Sequence, residues 1–543
     1  MGNIRSLLKT ISVLTFLLIP ILIFAQQLEK DKFQYKINDD GTITILGYTG
    51  KYDEKIIIPD SIDGKAVTII GKRAFAMNNM LKSVEIPQTI TRIEDTAFHM
   101  TALENVFIPK SVKYIGGSAF YECRELQHVV IESGSEIIFG DGVFDGTEIL
   151  DDIKDENGNI LGNAEYIVRN NTIIYYRGII TWQERHVTVG VNRKEYTRRS
   201  YTEPEEIIIP AEINGQKITA IGDYAFRYKT NLKKVVIPQT VTSIGKYAFA
   251  GCGKLTNIVI PSSITKIEDG AFSGCINLVT INLPNGITSI GNNVFAKCEG
   301  LLNITIPTGV TSLGSQLFSE CMKLEKVVIP RTVTYVGDQM FESTFRLTQI
   351  VDENGNPWGD NNFAVINGII VKCLTEESNV TIPQKIDDVD IVKIAGGAFY
   401  LKRNLKSITI PDNITEISQN AFMFCNSLKE VVLGNLTAIA PSTFAMCREL
   451  KTIEIPSSVT SIGAKAFMST GLTKIVIPEG VESIGPESFG GCSNLTEVYL
   501  PESLNSIDRD AFKGSNRIII FTKEGSRADN FAKERNIKVE YIQ

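Results

Sequence analysis

From residue 34 onward, apolar and polar positions recur on a long fixed unit, not on a single helix or strand period. The stretch from Leu232 to Cys252, LKKVVIPQTVTSIGKYAFAGC, shows the unit clearly. Leu232, Val235 and Ile237 fall where one face of a short strand would be buried, with Lys234 and Val236 on the other face. Pro238 lacks an N–H and ends the strand. Val241 and Ile244 then point inward, and Gly245 permits a tight corner. Ala248, Phe249 and Cys252 form the apolar side of a short helical turn.

The unit repeats almost without variation. The phenylalanines of the Ala-Phe-like pairs, Phe226, Phe249, Phe272, Phe295, Phe318 and Phe341, step by 23 residues each time. Phe75, Phe98, Phe120 and Phe144 form a second such series, and Phe399, Phe422, Phe444, Phe467, Phe489 and Phe512 a third. Sixteen of the 26 phenylalanines therefore share one column. One unit has too little core to fold alone, whereas stacked units bury a continuous one. The pattern predicts a solenoid with parallel strands on one face, short turns on the other and an aromatic column inside. Sixteen coils at about 4.8 Å would stack to roughly 75–80 Å.

The copies fall into three runs. Each opens with a lengthened unit containing Asp63-Gly64, Asn214-Gly215 or Asp387-Asp388, of which the first two read as hairpin turns. The phrase Asp-Glu-Asn-Gly-Asn occurs at 155–159 and again at 352–356. It precedes similar short strands at 166–175 and 363–371, so the seams read as duplicated modules. The resulting order is an N-terminal cap and first run at 26–148, a seam at 149–204, and a second run at 205–350. A second seam at 351–378, a third run at 379–514 and a C-terminal cap at 515–543 follow. That cap holds an Ile518–Phe521 strand, a helical Ser526–Glu534 and a last Ile537–Tyr541 strand.

The unit L-x-x-V-x-I-P-x-x-V-T-x-I-G-x-x-A-F-x-x-C resembles that of the BspA-like, or treponemal-type, leucine-rich repeat proteins of bacterial surfaces. The resemblance covers most of 34–543. It implies a leucine-rich repeat solenoid: a β-rich right-handed superhelix of about sixteen or more coils, with short parallel strands and short helical turns. It also implies a non-catalytic binding role, adhesion to host matrix proteins, glycans or other cells, with a passive envelope spacer as the alternative.

Composition narrows the function further. The 55 Lys and Arg against 62 Asp and Glu give a net charge of −7, against a general nucleic-acid binder. Three histidines leave little material for histidine-based catalysis or metal binding. Residues 1–25 read as a secretory signal peptide: Arg5 and Lys9, an apolar run Ile11 to Phe24 shorter than a membrane span, then Ala25. The mature chain is expected to be secreted or on the cell surface, with the periplasm as another destination. It is expected to be monomeric, with no transmembrane segment and no cofactor.

Eight of the nine cysteines lie three residues after a column phenylalanine, the exception being Cys373. Equivalent side chains in neighbouring coils point the same way, which predicts buried free thiols and no disulfides. The two Asp-Glu-Asn-Gly-Asn stretches lack the ligand spacing of a calcium loop and read as structural turns.

Two surfaces remain as candidates for a protein or glycan ligand. One is the outward column of the strand before each I-P, on the concave face, including Val236, Val259 and Val328, where extended apolar area would signal a partner. The other is the first seam at 172–204, with Tyr175, Tyr176, Trp182, Arg193, Lys194, Arg198 and Arg199. Its six positive residues against three glutamates give +3 in an acidic chain, which favours an acidic partner.

Overall fold

A computed structural model describes residues 31–50, 53–140, 142–144, 147, 150, 152–162, 166–176, 185–189, 194–198 and 204–542. The leader expected at 1–25 lies outside the described residues. The chain divides into two compact units, Met1–Asn231 and Leu232–Gln543.

Most coils contribute two short strands, where the sequence pattern predicts one. In the first unit the strands Lys55–Ile57, Ser83–Glu85 and Asn105–Ile108, which run into I-P, form one parallel sheet with His128–Ile131 and Asp152–Lys154. The segments expected only to point inward form a second, from Ile43–Tyr48 through Lys65–Ile70, Arg92–Ile93 and Tyr114–Ile115 to Ile138–Phe139. Two-residue strands such as Arg92–Ile93 are too short to show alternation, so only pairing with the next coil reveals them. Phe33–Ile37 lies antiparallel to Ile43–Tyr48 and covers that sheet's first edge.

The second unit repeats the plan. Lys234–Val236 pairs with Asn257–Val259, and Asn303–Thr305 with Lys326–Val328 and then Gln349–Val351. Ser243–Ile244, Lys266–Ile267, Ser289–Ile290, Ser312–Leu313 and Tyr335–Val336 build the companion sheet. The phenylalanine segments are single turns, closed by bonds such as Cys298 N–H to Phe295 C=O at 3.1 Å. They are tied to the next coil by bonds such as Phe272 N–H to Val294 C=O at 3.0 Å.

Between the sheets and the turns the column rings stack. Phe75, Phe98 and Phe120 lie 5.1 and 5.2 Å apart with planes within 5°. Phe249 through Phe341 are spaced 5.7–5.9 Å with planes within 9°. Such pairs add about 0.5–1.5 kcal/mol each beyond the area they bury.

The corner glycine acts differently from the sequence expectation. Gly291 and Gly314, in the same column as Gly245, are absent from the left-handed region. A Cβ on Gly291 would sit 2.6 Å from the Asp269 nitrogen, and one on Gly314 2.6 Å from that of Asn292. At these two positions glycine is required because successive coils approach closely. The left-handed residue comes two positions later, as at Asn293 with φ 55°.

The seams are hairpins spliced into the second sheet. Tyr166–Arg169 pairs with Thr172–Tyr176, and Phe363–Ile366 with Ile369–Cys373, each with a bulge at the same place. Their return strands continue in parallel into Ala220–Ile221 and Lys393–Ile394. All three lengthened units carry a tight hairpin, including Lys385–Ile386 with Val389–Asp390. Asp387 and Asp388, at φ 50° and 62°, adopt the turn without glycine.

At the C-terminal end Ile519–Thr522 and Lys538–Tyr541 extend the Pro-strand sheet. The helix Arg527–Glu534 starts at Ser526, whose hydroxyl caps the Asp529 N–H, and places Phe531 6.0 Å from Phe512. No helix among the described residues is long and apolar enough to cross a membrane.

Candidate functional site

The strand column is laid out by the alternation of the Pro-strands. In Asn257–Val259 the central Ile258 is buried and both flanking residues face out, Val259 at 50% exposure. Val236 pairs directly with Val259, and Val328 lies between Thr305 and Val351, with Val236 and Val328 half-buried. The apolar column is interrupted: Asn282, Thr305, Thr381, Thr409 and Glu454 are all exposed in it. The structure therefore presents short apolar patches separated by polar coils, and this exposed position differs from coil to coil.

The seam divides into core and surface. Tyr175 and Tyr176 are 3% and 1% exposed. They correct the sequence expectation of surface contacts, because each ring ends an aromatic ladder. Tyr175 packs edge-on against Phe144 at 6.3 Å, and Tyr176 stacks on Phe226 at 5.1 Å. Consecutive residues thus seal the last ring of one run and the first ring of the next. Alternation alone would place them on opposite faces, and the buried hairpin has no solvent face at this point.

Further along, Arg185–Val189 and Lys194–Arg198 form an antiparallel hairpin that sets Lys194 opposite Val189 and Arg198 opposite Arg185. Trp182, Arg193 and Arg199 lie outside the described residues. Trp358, in the second seam, is buried with its Nε1–H donating to Ile329 C=O at 2.8 Å, and the Arg331 guanidinium lies 4.1 Å over its ring.

The two Asp-Glu-Asn-Gly-Asn stretches are Asx turns. Asp155 accepts from the Asn157 and Asn159 N–H groups, and Asp352 accepts identically from Asn354 and Asn356. Burial opposes ionisation of Asp352, but Arg331 at 3.0 Å and the N–H donors outweigh it and hold the carboxyl down at about 2. No cluster among the described residues has the makeup to hold a metal ion.

All nine cysteines are buried free thiols. Seven donate to the carbonyl of the column phenylalanine one coil earlier, as Cys321 does to Phe295 at 3.1 Å. Burial pushes the Cys321 and Cys447 thiols up to about 12, which holds them as inert donors and not as nucleophiles.

One buried charge escaped the sequence reading. Lys372 lies in the apolar strand Ile369–Cys373, where its neighbours suggest a wholly hydrophobic segment. Its Nζ reaches the Phe341 carbonyl at 3.2 Å. Burial, reinforced by Lys402, lowers it to about 8.

Residues 49–166, 219–348 and 392–519 match the BspA type leucine rich repeat region. The chain belongs to the BspA-type leucine-rich repeat family. Similar solved structures include a leucine rich cell surface protein from Faecalibacterium prausnitzii, at 22% identity over 92% of this chain and 94% of that one, with a TM-score of 0.31. A leucine-rich repeat protein from Bacteroides ovatus is 23% identical over 94% of this chain and 98% of that one, with a TM-score of 0.33. The pneumococcal vaccine antigen PcpA is 15% identical over 94% and 97%, with a TM-score of 0.36. No curated protein matches the chain in sequence.

Proposed function

We propose that this BspA-type chain is an exported, non-catalytic adhesion protein that holds a protein or glycan partner at the cell surface or after secretion. The observation that carries this reading is the division of labour within each coil. The shared residues are consumed by the core, and the outward strand position, exposed and different from coil to coil, is left for recognition. The basic first seam supports an acidic partner. Its Arg193, Lys194, Arg198 and Arg199 would accelerate encounter, and Trp182 would hold the complex, as aromatic anchors do at interface centres.

The test is saturable binding of the mature chain to immobilised matrix proteins and to whole cells. Replacing the four seam cations with serine should slow association at low salt, with the difference shrinking as salt rises. Trp182→Ala should speed dissociation. If both variants bind as the wild type does, recognition moves to the Val236, Val259 and Val328 column, tested by aspartate substitution there. Absence of any saturable binding would leave the passive spacer as the better reading.

A further inference from the structure

The C-terminal end of the second unit holds a cleft that the repeat does not need. In most steps of the stack, backbone N–H groups of one phenylalanine turn donate to carbonyls of the next. Phe489 N–H bonds Ala511 C=O at 2.9 Å, and Gly491 N–H bonds Lys513 C=O at 2.8 Å. In the final coil the equivalent N–H groups belong to Phe512 and Gly514. Neither finds an acceptor among the described residues, because the cap that comes next takes another path. Phe531 covers the Phe512 ring, yet the turn beside it stays open.

What opens there is a cleft of about 630 Å³ between residues 509–519 of the last coil and 531–538 of the cap. Its charged lining is almost entirely basic. Arg509 is near Asp510 at 4.0 Å and Lys538 is paired with Glu540 at 2.8 Å. Lys513, Arg517 and Arg535 are exposed and carry no ion pair among the described residues. Asp510 is the only acidic residue in the lining. In a chain of net charge −7 this is a local excess of positive charge beside two unused N–H donors.

Cations converging with backbone N–H groups are the recurring means by which proteins hold oxyanions. The volume falls in the range of about 300–1,000 Å³ typical of small-ligand sites, and far exceeds one tetrahedral anion. Asn516 and Asn536 also line it, with side-chain amides that make no hydrogen bond among the described residues and suit hydroxyl groups. We infer that this cleft is a binding site for a short sulfated oligosaccharide, with sulfate oxygens on the Phe512 and Gly514 N–H groups and on Lys513, Arg517 and Arg535. This site is separate from the seam and the strand column and stands whether or not those surfaces bind.

The experiment is calorimetric titration of the full chain with a sulfated tetrasaccharide of the glycosaminoglycan type. The triple variant K513Q/R517Q/R535Q should bind at least about tenfold more weakly, the loss expected from removing charge-assisted hydrogen bonds. A control variant, K323Q/R403Q/K451Q, removes three exposed cations elsewhere and should bind as the wild type does. In the unaltered chain the ligand should slow hydrogen exchange at the Phe512 and Gly514 amides. That second readout stands even if a variant folds poorly. The inference is overturned if the wild type does not bind or those amides stay unprotected. It is overturned equally if the control loses as much as the triple variant. Inorganic sulfate binding as tightly would reassign the cleft as a simple anion site, and hexaglutamate binding as tightly would reassign it to acidic peptides.

Discussion

The Cys298 thiol donates to the carbonyl of Phe272, one coil back, at 3.3 Å. The same bond recurs in seven coils, so a buried sulfur ties each of these to its predecessor in addition to the strand pairing. At the equivalent place in the last coil Ser515 takes over, its hydroxyl donating to Phe489 C=O at 2.7 Å. The position demands a small buried donor, and sulfur chemistry is incidental to it.

Thiol reagents should therefore leave the native protein untouched at pH 8 and react only on unfolding. Cys298→Ser should fold and keep near-native stability, as Ser515 does in its coil. The pH dependence follows from the direction of the shift. Burial raises the Cys298 thiol well above 9, so its contribution is full below the unfolded value and is lost as pH rises beyond about 9. Denaturant midpoints measured from pH 8 to pH 11 check this, since a flat profile would contradict burial of the thiols.

Phe272 lies between Phe249 at 5.7 Å and Phe295 at 5.9 Å, fully buried. Phe272→Ala should cost about 3–5 kcal/mol. Neighbour-only coupling makes the loss local, so hydrogen exchange should accelerate across residues 249–295 before the array as a whole unfolds. Uniform acceleration along the chain would argue against stacking as the unit of stability.

Lys372 should give the opposite pH behaviour from the thiols. Its folded value of about 8 lies below the ordinary 10.5, so between those values the unfolded chain holds the proton more tightly. Stability from this residue must rise with pH through that window. Lys372→Met removes the effect. The variant should gain stability relative to the wild type at pH 7, and the gap should narrow by pH 9. A gap independent of pH would mean that Lys372 is not buried as a charge.

Asp352 is the acid counterpart. Held at about 2 by Arg331 and the turn N–H groups, it stabilises the second seam above its ordinary value of 3.8 and loses that contribution as pH falls towards 2. Asp352→Asn should flatten the acid limb of the unfolding curve between pH 4 and pH 2. An unchanged acid limb would remove Arg331 and the turn from the account.

The sequence by itself determined the coil. The spacing of Leu232, Val235, Ile237, Val241, Ile244 and Phe249 names every inward position, since an apolar residue repeated at one place in a unit must face a shared core. It also settled the family and the free state of the cysteines, because stacked equivalents cannot point at one another. Tertiary structure decided what depends on the neighbouring coil. The two-residue strands exist only as pairs, so Ser243–Ile244 has no signal of its own. Gly291 is fixed by the backbone of Asp269, which lies one coil away. Tyr175 and Tyr176 look like surface aromatics until Phe144 and Phe226 are placed beside them. The cleft beside Phe512 arises because the cap departs from the repeat there, leaving the Phe512 and Gly514 donors unused, where Phe489 and Gly491 are satisfied by the next coil.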